Sequence, residues 1–373
     1  MECVATCAFG IEAVLKYELK TLGFDITKSE NGKLYFTCDI QGLYVANMAL
    51  ATAERVFIVL GEETVTSFDA LYDFVRTIPF ETMLALDGRY IINAKSHKST
   101  LFSLRDIQTI TKKALIDTLK ANTNQSTFLE TGAPHAFLLS IERDQASLWL
   151  DTSGEGLHKR GYRLKQGPAP LKETLAAALV RLSFYHQDRV LYDPFCGSGT
   201  IPIEAALYAK NIAPSLNRAF AFQQFSWYDK QAFQRARSAL LKAINHTVQP
   251  KIIASDNNEK VLDMARENAD EAGVRDAISF QQKAFEDQKF QHDYGIIITN
   301  PPYGARLDDV EQLTPLYKTI AKRFNTLKSY SLYMLTSYPG VERIMAKKAD
   351  RTRVLFNGNL KTRFYQYYGP KPS

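Results

Sequence analysis

Residues 193–200 read Asp193-Pro194-Phe195-Cys196-Gly197-Ser198-Gly199-Thr200. The run Arg189 to Tyr192 leads into them and an apolar helical pattern, Ile201 to Ala209, follows. The spacing predicts strand, glycine turn, helix. Gly197 and Gly199 lack a Cβ, so the backbone can turn sharply and approach a ligand closely. The helix start behind them offers unpaired N–H groups. The register Gly197-Ser198-Gly199-Thr200-Ile201-Pro202 lacks the third glycine of a dinucleotide fold. The acidic residue after the next strand, Asp256, lies far beyond the roughly 20-residue spacing of a nicotinamide site. No lysine follows the glycines, which argues against a phosphate-binding P-loop. What remains is an adenosyl site without a pyrophosphate.

Outward from this turn, strands are predicted at Val190–Phe195, Ile252–Ser255, Ile278–Gln281, Gly295–Thr299 and Ser331–Thr336, separated by helical patterns. Two more, Arg353–Phe356 and Arg363–Tyr368, flank Asn357-Gly358. This is an α/β, Rossmann-like unit: a seven-stranded, mostly parallel sheet closed by an antiparallel hairpin. Residues 212–250 are too long for a loop and read as an inserted helical segment containing Trp227.

At the end of the fourth of these strands stands Asn300-Pro301-Pro302-Tyr303. Ligands of open α/β sheets bind outside the carboxyl ends of the strands, near the switch in strand order. Both turns are expected to face one crevice. An exocyclic amino group on a base is a poor nucleophile, because its lone pair is delocalised into the ring. The Asn300 side-chain oxygen and the Pro301 carbonyl are placed to accept both amino protons and to aim the lone pair at a methyl group. The prolines stiffen the turn, and Tyr303 can stack on a base flipped from its helix. Asn300, Pro301, Pro302 and Tyr303 are the catalytic candidates. A methyl donor such as S-adenosylmethionine needs a carboxylate for its ribose, a close backbone for its methionine part and an apolar slot for adenine. Asp256 in Ser255-Asp256-Asn257 suits the ribose, with a helix N-cap as its structural alternative. Asp193 suits the methionine end, and Ala284-Phe285-Glu286 the adenine. The donor-binding candidates are Asp193, Phe195, Cys196, Gly197, Ser198, Gly199, Thr200, Asp256, Asn257, Ala284 and Phe285.

The N-terminal half is different. Residues 1–62 run strand, helix, strand, strand, helix, strand, with Asn31-Gly32 a hairpin signal. That order is the ferredoxin-like, split βαβ pattern, an α+β scaffold that names no function by itself. Residues 63–155 form a second α/β segment, with a strand at Tyr90–Lys95 and a helix opening at Ser103, where Asp106 would complete a capping box. Between them, Lys95-Ser96-His97-Lys98-Ser99-Thr100 reads as a basic, hydroxyl-rich loop, suited either to phosphate contacts or to a plain surface. Residues 152–172 form a glycine- and proline-rich junction, with a linker assigned to 156–172. Its basic cluster, His158-Lys159-Arg160-Gly161-Tyr162-Arg163, is read as an RNA phosphate contact, as support for the catalytic pocket, or as a linker paired with acidic neighbours.

The 373 residues suffice for two or three domains, and an apolar fraction of 45% supports a sizeable core. No run is long and apolar enough to suggest a membrane span, and the N-terminus lacks the basic start of a signal peptide. The four cysteines, Cys3, Cys7, Cys38 and Cys196, show no zinc-type pairing with histidine, so no metal is expected, and they suit a reducing, cytoplasmic setting. Charge is uneven. Residues 1–160 hold 16 Lys/Arg and 20 Asp/Glu, leaving 30 and 20 of the totals of 46 and 40 for the rest. A net −4 followed by a net +10 fits a polyanionic partner.

Two resemblances sharpen these expectations. Ala94-Lys95-Ser96-His97, ahead of a Leu-Phe-Ser helix start and after a ferredoxin-like unit, resembles a THUMP domain, an RNA-binding module attached to RNA-modifying enzymes. The two turns resemble those of class I methyltransferases acting on amino nitrogens. So do Arg160-Gly161-Tyr162-Arg163, Ala169-Pro170-Leu171-Lys172-Glu173, Ile203-Glu204-Ala205-Ala206, Asp256 with Ala265-Arg266-Glu267-Asn268, and Asn300 to Gly304. Nearly the whole chain is similar to the THUMP-containing 23S rRNA guanine-N2-methyltransferases, in the form of the first methyltransferase of a fused bacterial enzyme standing alone. The resemblance implies S-adenosylmethionine held by Asp193, Gly197, Gly199 and Asp256, and guanine held by Asn300, Pro301 and Tyr303. It implies RNA contacts from the N-terminal half, with Lys95, His97, Lys98, Lys159, Arg160 and Arg163 as candidates. It divides the chain into a ferredoxin-like domain (1–62), a THUMP domain (63–155), the linker (156–172) and the methyltransferase domain (173–373). Methylation of tRNA guanine-N2, methylation of DNA adenine-N6, and a non-catalytic assembly role stay open as alternatives. Oligomeric state is not legible.

Overall fold

The computed structural model describes residues 1–123, 125, 127–163, 171–304 and 307–371. The N-terminal half alternates β1 (Glu2–Cys7), α1 (Glu12–Thr21), β2 (Asp25–Glu30), β3 (Lys33–Thr37), α2 (Ile40–Ala49) and β4 (Ala53–Thr64). It continues with α3 (Phe68–Arg76), β5 (Arg89–His97), α4 (Leu104–Asn122), β6 (Pro134–Glu142) and β7 (Gln145–Asp151). All seven strands form one sheet in the order β2-β3-β1-β4-β7-β6-β5. The first four give the split βαβ pattern, with the β2–β3 turn at Asn31-Gly32 and Gly32 at φ +72°. The strand β4 pairs with β1 on one side and β7 on the other, so it runs through the expected boundary at residue 62 and joins the two units edge to edge.

Two local expectations change. The strand β5 extends to His97 and pairs with β6 along its whole length, so Lys95, Ser96 and His97 lie in an edge strand rather than in a loop. Ser103 is the N-cap of α4, but its side chain makes no capping bond.

The C-terminal half contains α5 (Glu173–Leu182), β8 (Leu191–Asp193), α6 (Thr200–Ala209), α7 (Lys230–Lys242), β9 (Ile252–Asp256), α8 (Glu259–Glu271) and β10 (Ile278–Gln282). It closes with β11 (Ile296–Thr299), α9 (Leu307–Phe324), β12 (Ser331–Thr336), α10 (Val341–Met345), β13 (Arg351–Asn357) and β14 (Leu360–Tyr367). Its sheet runs β10-β9-β8-β11-β12-β14-β13, parallel from β10 to β12 and antiparallel at β14 and β13. The chain builds outward from β8 through β9 to β10, then returns to lay β11 against the other side of β8. The switch in strand order therefore falls between β8 and β11, where a crevice opens at the carboxyl ends. The parallel strands are buried, as a sheet covered on both faces requires: Ile296, Ile297, Ile298 and Thr299 are all buried. The segment 212–250 carries α7.

The halves share one continuous apolar core. Tyr44 of α2 packs on Phe222 and Phe233 at 4.6 and 5.7 Å. Arg181 of α5 pairs with Glu18 of α1 at 3.0 Å. Among the described residues no helix is long and apolar enough to cross a membrane.

Candidate active site at the switch point

Asp193 ends β8 with 1% of its surface exposed. Its Oδ1 accepts the Thr299 hydroxyl at 2.9 Å and the Phe195 N–H at 3.3 Å. Thr299 is the last residue of β11, so this bond stitches together the strands that carry the two turns. Burial pushes the Asp193 carboxyl up to about 7, against the pull of its two donors.

The glycine turn is tied to its other neighbour as well. The Cys196 N–H donates to the Ser255 carbonyl of β9 at 3.0 Å, and the Gly197 N–H to Asp256 Oδ2 at 3.2 Å. The two glycines do different things. Gly197 sits at φ +52° with open space where a Cβ would project, which leaves its backbone approachable by a ligand. Gly199, at φ +84°, would drive a Cβ to 3.1 Å from the Ala265 Cβ. Its bareness lets the start of α6 close on α8. Ser198 offers its carbonyl to Asn268 Nδ2 at 3.0 Å. Thr200, the first residue of α6, accepts Arg163 Nη2 on its hydroxyl at 2.7 Å.

Asp256 is half-buried at the end of β9. Its other oxygen accepts the Asn258 N–H at 3.1 Å, while Asn258 itself caps α8 by accepting the Lys260 N–H. The capping role thus belongs to Asn258, not Asp256. Asn257 is exposed beside it. Phe195 stacks on Phe285 with centroids 5.4 Å apart, forming an apolar wall beside Ala284. The Arg323 guanidinium lies over Phe285 at 5.7 Å and donates to the Glu286 and Gln288 carbonyls, fixing this segment. An acidic pair, a bare glycine and an aromatic wall around one strand edge are group types that fit an adenosyl moiety with a charged amino-acid tail.

Beyond β11, Asn300 is half-buried, and its side-chain oxygen is buried without a hydrogen-bond partner among the described residues. Such an atom costs about 1–3 kcal/mol unless something donates to it. Pro301 is buried and Pro302 exposed. The Pro302 carbonyl accepts the Tyr317 hydroxyl at 3.1 Å, and Tyr317 is held in turn by the Thr336 hydroxyl at 2.6 Å and by stacking on Tyr338 at 3.9 Å. Tyr303 is half-buried at the end of this turn. Burial raises its hydroxyl above the usual tyrosine value.

The basic candidates divide. Lys95 and His97 are exposed on β5 and, with Glu54, Phe9 and Trp149, line a cavity of about 480 Å³. Lys98 is exposed in a left-handed turn at φ +50°. Lys159 is exposed and paired with Glu155 at 2.8 Å. Arg160 and Arg163 are not phosphate contacts in this fold. The Arg160 side chain is fully buried, with Glu204 at 3.3 Å and the carbonyls of Leu157 and Ala51 around it. The Arg163 side chain is 6% exposed and pairs with Glu173 at 3.4 Å. Both cations are consumed by buried carboxylates, behind the glycine turn and away from solvent. Ala169 and Pro170, with residues 164–168 of the linker, lie outside the described residues.

Sequence reasoning gave no role to Asn268, Tyr317 or Arg323. The spacing of Ala265 and Asn268 on one face of α8 was the available signal for the first. The others act across elements distant in sequence.

This is a class I methyltransferase domain preceded by a ferredoxin-like and a THUMP unit. The family comparisons agree: residues 2–57 match the RlmL ferredoxin-like domain, 65–151 the THUMP domain, and 160–366 the RMKL-like methyltransferase domain. The chain belongs to the RMKL-like methyltransferase family, and methyltransferases of this class take their methyl group from S-adenosylmethionine. It is 41% identical over 98% of its length to YpsC of Bacillus subtilis, covering 95% of that protein, whose name as an RNA methyltransferase is itself provisional. It is 30% identical to the ribosomal RNA large subunit methyltransferase K/L of a Marinomonas species, matching over 97% of this chain but spanning only 52% of that enzyme. The crystal structure of a Listeria monocytogenes protein, described as a predicted N6-adenine-specific DNA methylase, superposes with a TM-score of 0.94 at 43% identity, covering 99% of this chain and 96% of that one. SMU.472, provisionally named a methyltransferase and crystallised with SAH, superposes at 0.92 and 38% identity, covering 100% and 99%.

Proposed function

We propose that this protein transfers a methyl group from S-adenosylmethionine to the exocyclic N2 of a guanine in 23S rRNA. The observation that carries this reading is the buried Asn300 oxygen, unpartnered among the described residues, at the carboxyl end of β11, next to the strand that ends in Asp193. An acceptor kept dry and unpaired suits a substrate that brings N–H donors, which an amino group does.

Gly197 and Asp256 would hold the donor's backbone-facing and ribose sides, Asp193 its charged tail, and the Phe195–Phe285 wall its adenine edge. When bound, the donor supplies a methyl group on a sulfonium whose thioether departs with the C–S electrons. Asn300 and the Pro301 carbonyl hold the amino protons, so the nitrogen lone pair is turned toward the methyl carbon. Transfer to that lone pair would leave one amino proton to be lost to solvent. Pro301 and Pro302, braced by Tyr317, limit movement of this loop as charge develops. Tyr303 faces the extruded base.

Guanine in rRNA is favoured by the ferredoxin-like and THUMP units and by the likeness to the ribosomal RNA K/L enzyme. Methylation of tRNA would use the same chemistry. A DNA adenine reading rests on the name given to the Listeria relative, since adenine N6 offers the same two protons. Incubation with labelled donor and separated rRNA, tRNA and DNA, followed by nucleoside analysis, distinguishes them. N2-methylguanosine in rRNA is expected, and label confined to N6-methyladenine in DNA overturns the assignment.

A further inference from the structure

The aromatic wall beside the donor pocket stands on a segment with little structure of its own. Strand β10 ends at Gln282, and the Lys283 N–H makes a last tie to the Asp256 carbonyl at 2.9 Å. A single tight helical turn, Phe285–Asp287, follows. Its own bonds are two, from the Asp287 N–H to the Ala284 carbonyl at 3.1 Å and from the Gln288 N–H to the Phe285 carbonyl at 3.2 Å. One isolated turn is barely stable in water. Yet Phe285 is 6% exposed and stacks on Phe195, two residues beyond Asp193. Its position has to be set from outside the segment.

Two side chains set it. Gln288, 2% exposed, accepts the Ser255 hydroxyl at 2.9 Å, which ties the end of the turn to β9 one residue before Asp256. Arg323 comes from the last turn of α9. Its two terminal nitrogens donate separately, one to the Glu286 carbonyl and one to the Gln288 carbonyl. Its guanidinium also lies 5.7 Å from the ring centres of both Phe285 and Phe290, which meet edge-on at 6.4 Å. A planar fork that donates through two arms and packs on rings is a use for which lysine is no substitute. The same helix carries Tyr317, whose hydroxyl holds the Pro302 carbonyl. One helix thus braces both the wall of the donor pocket and the acceptor loop.

We infer that Arg323 is a positioning residue for donor binding: it clamps the turn at Phe285–Asp287 so that the Phe285 ring stands ready as the adenine face. The inference rests on the adenine lying against the Phe195–Phe285 wall. Arg323 acts through Phe285, not on the methyl group. Without the clamp the segment samples other positions in the free chain, and binding has to order it first. That ordering lowers affinity. Once the donor is seated, the acceptor loop and its chemistry are as before.

The test is calorimetry of S-adenosylhomocysteine binding to the full chain and to its Phe285→Ala and Arg323→Met variants. Phe285→Ala reports on the wall itself, and parental affinity there removes the wall from the site and this inference with it. Arg323→Met keeps an apolar stem without donors or charge. It should weaken binding about tenfold. Parental affinity in Arg323→Met beside a loss in Phe285→Ala overturns the clamp and leaves the wall in place. With labelled donor and whichever nucleic acid accepts label, Arg323→Met should raise donor KM and hold kcat at saturating donor. A fall in kcat with donor KM unchanged would put the effect on the acceptor side and contradict the inference. Hydrogen exchange on the free chain shows where the variant acts. Residues 284–290 should exchange faster in Arg323→Met, with residues 196–200 at the parental rate, and saturating S-adenosylhomocysteine should restore protection. Faster exchange throughout the C-terminal half would mark Arg323 as a general packing residue and overturn the inference.

Discussion

Asp193 shows how much a single position carries. It is the last residue of a strand, so its backbone is fixed by β9 and β11, and its carboxyl has nowhere to go but inward. Burial favours the protonated form in the folded chain and raises the carboxyl to about 7. A group raised on folding stabilises the fold fully below its unfolded value, near 4, and loses that contribution as pH climbs to its folded value. Without donor, the melting temperature should therefore fall between about pH 4 and 7 through this group. Asp193→Asn should flatten that slope in differential scanning fluorimetry, and parallel curves would show that Asp193 is ionised throughout. The sequence made Asp193 and Gly197 visible because a strand, a glycine turn and a helix are local signals. It could not separate Gly197 from Gly199, since the difference lies in Ala265, on another helix.

At the scale of elements, the start of α6 is held from behind by two arginines. Arg160 meets Glu204 within α6, and Arg163 meets Glu173 of α5 and Thr200 at the first turn of α6. A basic run around an aromatic looks the same in sequence whether it is solvated or paired internally. Here the deciding carboxylates, Glu173 and Glu204, sit in helices downstream, so the phosphate reading failed for both arginines. Breaking a buried ion pair from one side strands a charge and costs about 3–5 kcal/mol. Glu204→Ala should lose about that much in urea unfolding, because Arg160 keeps only carbonyl partners. A loss below about 1 kcal/mol would mean that the pair is solvated or replaced. The extent of β5 was missed for a related reason: its pairing with β6 carries the strand through Lys95, Ser96 and His97, whose composition alone suggests a loop.

In the whole molecule, the two halves are built as one body. The core runs between the halves, and Glu54 binds Lys172 and Thr174 across them. Composition foretold the unequal charge but not this interlock, which depends on side chains brought together by the fold. The exposed Lys95 and Lys98 remain the candidates for phosphate contact. Changing both to glutamate should weaken RNA binding and reduce its salt dependence by about two phosphate contacts' worth of slope, while donor affinity stays level. An unchanged salt slope in filter binding would move the RNA surface elsewhere.

The central claim is that the loop after β8 holds the donor and the loop after β11 holds the amino group. It is tested most directly by measuring donor affinity and methyl transfer on one preparation of Asn300→Ala. Calorimetry should give a donor Kd within about twofold of the parent, while transfer falls by two or more orders of magnitude, the scale of losing a preorganised polar contact to the reacting group. Transfer at the parental rate would contradict the account.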